Sequence, residues 1–348
     1  MLFNASPREE TRTVFWWKRG TLIDRIGWLF PSLPLSSCDI VSDDLSSNAA
    51  FVNFVRRHKI TNTVTGQSFD IVEKSVRKLA FVTSLESRFY REHDALKASV
   101  QFHHPEFFGT IETPNESFIF TRHISGKSPR MRIAAPQIAR GIAELEFTSH
   151  QHIQAQSSSC FLRYWTMDFY RPWYMLRGRF SFHRFFGSIE NLAEHDSRFK
   201  GISPSLRTLG KKVDALGLSA LRSPKCFCHL DYLRKNLFVN PDGLHIIDWS
   251  EFKVGRVGFD AGSYLAALFR RSEMGRYESV RDNFIANYES ELAQRFDVEQ
   301  TLNNMRYYFL QNSLWQCMRP KSIKEFQDSN RLDLLREKLD YLISAESY

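Results

Sequence analysis

Apolar residues fall in two rhythms along this chain, short strand-like runs in the first third and longer helical periods after it. Residues 51–57 and 69–76 are apolar and β-branched enough to read as strands, with Gly66 marking the turn between them. Residues 86–99 bring Phe89 and Leu96 to one side and predict a helix. Residues 116–123, centred on Phe118-Ile119-Phe120, predict another strand, and Gly126 and Pro129 punctuate the chain after it. Beyond them Ile138, Ile142 and Leu145 share one face of a helix expected over 133–150. Helical patterns return over 276–296, 299–317 and 330–343, the last two separated by Pro320. Ahead of the first strand, residues 21–30 read as a short amphipathic helix ending near Pro31. The expected architecture is α+β: an N-terminal extension over 1–38, a small sheet-rich lobe over 39–123 and a larger helical lobe over 124–348.

Composition narrows the class. The chain has 348 residues, 43% hydrophobic and 25% charged, with 30 phenylalanines, which argues for a folded core and against a largely disordered chain. No stretch approaches the roughly 18 uncharged apolar residues of a membrane-spanning helix. Arg8, Glu9, Glu10 and Arg12 make a poor secretory signal. Trp16 and Trp17 are expected to dock the N-terminal arm onto the body, with peripheral membrane contact as the alternative. The net charge of +8 comes from scattered Lys and Arg without a basic block, so specific nucleic-acid binding is not expected. Five cysteines include a lone Cys226-x-Cys228 pair without a partner pair, which fits buried free thiols better than zinc, and a cytoplasmic location is the default.

The chemistry concentrates in Cys228-His229-Leu230-Asp231-Tyr232-Leu233-Arg234-Lys235-Asn236, followed after an Asn240-Pro241-Asp242-Gly243 turn by Ile246-Ile247-Asp248-Trp249. Asn236 and Asp248 offer two oxygens suited to a divalent cation on adjoining strands, and Asp231 is a separate carboxylate in the preceding loop. That division of labour suits phosphoryl transfer, in which metal neutralises phosphate charge while another carboxylate orients the attacking hydroxyl.

These residues resemble the aminoglycoside phosphotransferase and choline kinase-like family, the small-molecule branch of the protein-kinase fold, whose loop reads His-Gly-Asp, four residues, Asn, then Ile-Asp-Trp or similar. The resemblance implies a two-lobed protein-kinase-like fold, Asp231 as catalytic base, and Asn236 and Asp248 as magnesium ligands. It also implies ATP bound between the lobes. Lys74 on a central strand would reach the phosphates, its amine fixed by Glu92 on the following helix; Lys78 and Glu86 are the competing lysine and acid. Ser46, Ser47 and Asn48 would form the phosphate-covering loop, and Phe120, Arg122 and His123 would flank the adenine. Asp260 would anchor the catalytic loop. Two departures stand out: Leu230 replaces the glycine, which restricts the backbone there, and Glu146 lies near a position where relatives often carry histidine.

The function implied is transfer of the γ-phosphoryl group of ATP, with Mg2+, to a hydroxyl of a small molecule, a sugar or a cell-surface precursor being preferred and choline-like amines and amino sugars staying open. The aromatic-rich region 161–186 and Trp315 are candidates to line the acceptor pocket. A non-catalytic kinase-like binding protein is the alternative. A protein kinase fits less well, because Leu233 stands where such enzymes commonly carry lysine and little chain separates Asp248 from Asp260.

Overall fold

The computed structural model describes residues 13–45, 52–78, 84–92, 99–155 and 182–344, without the side chains of residues 91 and 92. The chain divides into two compact units, and the two-lobed α+β expectation holds. One, built from Met1–Lys97, His103–Lys127 and Phe238–Ser250, is sheet-rich. The other, built from Ala98–Phe102, Ser128–Leu237 and Glu251–Tyr348, is larger and mostly helical.

The sheet-rich unit is organised around six strands. These are β1 (Thr13–Phe15), β2 (Cys38–Leu45), β3 (Val52–Asn62), β4 (Ser68–Arg77), β6 (Phe107–Glu112) and β7 (Glu116–Arg122), with the short β5 (Phe102–His103) before β6. Their order is β1-β6-β7-β4-β3-β2, and only β1 pairs in parallel. The helix expected over 21–30 is α1 (Leu22–Leu29), capped by a reciprocal box in which Thr21 and Asp24 satisfy each other's backbone N–H. Its Ile26 and Leu29 join Phe30, Ile60, Ile71, Phe108, Ile111, Phe118 and Phe120 in one buried cluster. Residues 13–30 therefore build the core of this unit, through α1 on the face of the sheet and β1 at its edge. Helix α2 (Leu85–Glu92) follows β4, and β9 (Leu237–Asn240) and β10 (Gly243–Ile246) form a hairpin.

The helical unit contains α3 (Met131–Ala155), α4 (Phe186–His195), α5 (Ile202–Ala220), α6 (Phe259–Arg271), α7 (Met274–Leu292), α8 (Val298–Met318), α9 (Pro320–Asp328) and α10 (Leu332–Ser344). Ile138, Ile142 and Leu145 are buried along α3, as their spacing predicts. A two-stranded ribbon pairs β8 (Lys225–Cys228) with β11 (Lys253–Arg256), Cys228 opposite Lys253. It fixes the start of the 229–236 loop and leads into α6. Gly258 turns the chain there at φ +98°, and a Cβ at that position would meet the Thr301 carbonyl oxygen. Among the described residues no helix is long and apolar enough to cross a membrane.

Candidate active site

In the sheet-rich unit, strand alternation decides what Lys74 can reach. Lys74 is paired in register with Val55 and Ile119, whereas the preceding Glu73 is paired with Arg56 and Phe120. Side chains directly opposite one another share a face, so Lys74 and Ile119 lie on one side of the sheet and Glu73 and Phe120 on the other. On its own side Lys74 Nζ donates to Asp248 Oδ1 at 2.5 Å and lies 2.7 Å from Glu86 Oε2. Burial works against the ammonium, but the charges of Glu86 and Asp248 outweigh it and raise the lysine pKa. Glu86 moves up as well, because burial outweighs the attraction of Lys74. The cluster is further tied by a backbone hydrogen bond from Trp249 to Glu86 and by Phe89 of α2 stacking on the Trp249 ring, centroids 3.6 Å apart.

The acid observed beside Lys74 is Glu86, the competing acid of the sequence reading. Glu86 and Glu92 both stand on α2, but six residues at about 100° each place them roughly 120° apart around the helix, and Glu86 is on the turn that reaches Lys74. The Glu92 side chain lies outside the described residues. Lys78, the competing lysine, is bonded to Glu112 at 2.7 Å.

The three residues expected to flank the adenine differ in their surroundings. Phe120 is fully buried in the cluster under α1, on the face of the sheet opposite Lys74. Its side chain is core. Arg122 shares that face through its pairing with Ile71 and is bonded to Glu106 at 2.7 Å. His123 is half-buried, its imidazole pKa pushed down by burial and by Arg57, and its backbone N–H donates to the Asp70 carbonyl. Ser46, Ser47 and Asn48 lie outside the described residues, as does 161–181 of the aromatic-rich region. Trp315 carries the Arg319 guanidinium 4.8 Å above its ring.

In the helical unit, the 229–236 loop is held from within. Asn236 is 2% exposed, and its amide donates to both the backbone carbonyl and the Oδ2 of Asp231, each at 2.9 Å. The Asp231 N–H donates to Nδ1 of the buried His229 at 3.2 Å. Asp260, wholly buried at the start of α6, accepts the N–H groups of His229 and Leu230 at 2.9 Å and the Tyr232 hydroxyl at 2.8 Å. Burial raises its carboxyl to about 6 in spite of those three donors. Leu230 sits at φ +61°, the left-handed conformation in which glycine is at ease. It is pinned there from both ends, its N–H on Asp260 and its carbonyl on the Ser263 hydroxyl at 2.7 Å. Leucine has replaced glycine without displacing the backbone that a glycine would supply.

Glu146 belongs to the same support. Fully buried on α3, it accepts the Gly258 N–H at 2.9 Å on Oε1 and the Tyr288 hydroxyl on Oε2. Burial, with Asp260 nearby, raises it to about 8. The sequence singled it out only as a substitution; an acid beside the apolar stripe of Ile138, Ile142 and Leu145 was the available signal. Tyr232 and Ser263 carried no such mark.

Each unit holds an oxygen donor of the kind a small hard cation takes. In the helical unit Asn236, its amide nitrogen turned to Asp231, keeps its side-chain oxygen as acceptor; in the sheet-rich unit Asp248 carries a carboxylate that accepts from Lys74. Among the described residues no three His, Cys, Asp or Glu side chains gather into a cage. Magnesium does not need one, because it takes one or two protein oxygens and completes its shell with phosphate and water.

Comparison with known proteins agrees with the motif. The model of the phosphotransferase enzyme family (APH) matches residues 174–297, a span that includes Asp231, Asn236, Asp248 and Asp260. Among solved structures, the choline kinase from Cryptosporidium parvum Iowa II is 12% identical, with a TM-score of 0.52 over 91% of this chain and 93% of its own. A choline/ethanolamine kinase family protein from Mesorhizobium loti is 13% identical, with a TM-score of 0.47 over 93% of each chain. The first of these likenesses establishes fold. Curated protein sequences give no match. The chain resembles the aminoglycoside phosphotransferase and choline kinase-like group and has its protein-kinase-like fold.

Proposed function

We propose that this protein is an ATP- and magnesium-dependent phosphotransferase that phosphorylates a hydroxyl of a small molecule. The observation that carries the reading is Lys74, held by an α2 carboxylate on one side and by Asp248 on the other. A lysine so fixed is a preformed phosphate contact. Asp248 and the Asn236 oxygen would hold magnesium, which supplies charge neutralisation on the phosphates when bound. Asp231 would accept the hydroxyl proton of the acceptor as attack begins, its carboxylate oriented by Asn236. Backbone groups and not the Phe120 ring would read the base.

The test is magnesium-dependent transfer of label from ATP across sugars, amino sugars, choline-like amines and generic proteins, with Asp231→Asn as control. Transfer to one small-molecule class, lost in that variant, is the expected result. Transfer to proteins alone would turn the reading to a protein kinase. Metal-dependent ATP binding without turnover on any acceptor would favour the non-catalytic alternative.

A further inference from the structure

The helical unit holds a second feature, away from the 229–236 loop. A cavity of about 300 Å³ opens among the C-terminal half of α6, the end of α8, α9 and the first turn of α10. That volume is at the lower end of the range of small-ligand sites. Asp260 and Arg270 stand at opposite ends of α6, about 15 Å apart at the helical rise per residue, so the cavity lies at the end of α6 away from the residues that hold the 229–236 loop.

Its lining contains polar atoms that lack partners. Ser313 is 1% exposed, and its hydroxyl has no hydrogen bond among the described residues. Other helix hydroxyls of this chain bond back to a carbonyl one turn earlier, Ser149 to Leu145 at 2.6 Å and Thr301 to Asp297 at 2.7 Å. Gln316 also lines the cavity; its amide reaches Asn312 while its buried oxygen has no donor. Two such groups, each costing about 1–3 kcal/mol when unsatisfied, offer bonding capacity to water or to a bound molecule.

The charges say what kind of ligand. Arg270, Arg271 and Arg331 line the cavity against one acid, Glu325. None of the three arginines makes an ion pair among the described residues, although arginines elsewhere in the chain do so with Asp70, Glu106, Asp196 and Glu190. The adjacent Arg319 is pushed down in pKa by burial and by Arg270, the response of a cation crowded by its like. Lys338 is not available to a ligand. Its ammonium caps the end of α6, donating to the carbonyls of Phe269, Arg270 and Ser272, and so removes the negative helix terminus that would repel an anion. Phe269, Phe326 and Leu334 supply an apolar wall.

We propose that this cavity binds a small organic anion, with a phosphate or carboxylate head held by the Arg270, Arg271 and Arg331 guanidiniums and a compact apolar body against Phe269, Phe326 and Leu334. The Ser313 hydroxyl and the Gln316 oxygen would bond to polar groups at the inner end. Forked guanidinium donors suit either head, and the site stands independently of the proposed phosphotransferase activity.

Calorimetric titration of the full chain with phenyl phosphate, benzoate and inorganic phosphate tests it. The expected result is one site per chain that takes phenyl phosphate or benzoate more tightly than inorganic phosphate. Arg271→Glu and Arg331→Glu, both at exposed positions, should each weaken binding by about tenfold or more, and Ser313→Ala by a few-fold. Lys74→Met should leave it unchanged. Melting curves of each variant confirm folding. The proposal is overturned by no binding at millimolar probe. It is also overturned by inorganic phosphate binding as tightly as phenyl phosphate, or by affinity lost in Lys74→Met but kept in Arg331→Glu.

Discussion

Asp260 accepts the backbone N–H of Leu230 at 2.9 Å, and that bond keeps a leucine in a left-handed conformation one residue before Asp231. The strain of such a conformation in a residue with a side chain is about 1–2 kcal/mol, comparable with one hydrogen bond to a charged group, about 1.5–3 kcal/mol. The two are therefore matched, and loosening either should move the loop. Asp260→Asn keeps the shape but loses the charge and one acceptor oxygen. It should lower phosphoryl transfer by about 10- to 100-fold with a reduced melting temperature. Leu230→Gly should hold stability within about 1 kcal/mol, because relief of strain offsets lost burial and added chain entropy. Leu230→Val, branched at Cβ, should cost about 2 kcal/mol. Thermal denaturation of the three variants checks the order; a valine variant as stable as the glycine one would refute it.

Lys74 links Glu86 and Asp248, and the choice between Glu86 and Glu92 can be read in solution. Lys74→Met and Glu86→Gln should each weaken MgATP binding, the first by about 10- to 100-fold. Glu92→Gln should leave affinity unchanged. Loss of affinity in Glu92→Gln alone, measured by titration with MgATP, would return the pairing to the acid first expected from the sequence.

Legibility in the sequence depends on which constraints are local. Asp231 and Asn236 share one short loop, so the motif alone brings them together, and the resemblance adds Asp260; the bond from Asn236 to Asp231 comes only with the fold. Glu86 against Glu92 turns on which side of α2 meets the sheet, and both acids fit a helical pattern equally well. The resemblance implies a nucleotide contact at Phe120 because it lies at the end of a recognisable strand. Which face the strand buries depends on α1, nearly a hundred residues earlier in the chain. The N-terminal residues themselves read as an arm, since nothing in a short amphipathic helix announces the sheet it covers. At Leu230 the expected conflict between leucine and a glycine-like backbone is real, but its resolution rests on Asp260 and Ser263, which only the folded chain brings beside it.

Glu146 gives the helical unit a pH dependence of definite sign. Its carboxyl is raised to about 8 in the fold, against roughly 4.3 in an unfolded chain. Between those values the folded state binds the extra proton, so stability falls as pH rises through the window and stops falling once the folded carboxyl has ionised. Asp260, raised to about 6, acts in the same direction over the lower part of it. The slope is at most about 1.4 kcal/mol per pH unit for one proton. Melting temperatures from pH 6 to 9 should decline in the unaltered protein and decline less in Glu146→Gln, which holds the Tyr288 and Gly258 contacts without a titrating proton. Parallel curves for the two proteins would exclude Glu146 as the source.

Arg25 and Glu73 form a pair on the far side of the sheet from Lys74, and the role of the N-terminal residues can be tested through it. Arg25 Nε donates to Glu73 Oε1 at 2.6 Å, His58 Nε2 lies 3.1 Å from the other oxygen, and the guanidinium also donates to the carbonyls of Arg19 and Gly20. Burial pushes the Glu73 carboxyl up, but the bonds from His58 and Arg25 prevail and its pKa is lowered. Its stabilising contribution is accordingly present above the unfolded carboxyl pKa and is lost as pH falls through the folded one. Removing one member leaves the other charge buried alone, which costs about 3–5 kcal/mol, whereas replacing both by apolar residues costs far less. Arg25→Met should therefore destabilise the sheet-rich unit strongly, and Arg25→Met with Glu73→Met should recover most of the loss. Because Glu73 is the neighbour of Lys74 on β4, the single variant should also speed amide hydrogen exchange along β4 and weaken MgATP binding, both restored in the double variant. A single variant whose β4 amides exchange as slowly as in the unaltered protein would mean that α1 merely rests on the sheet.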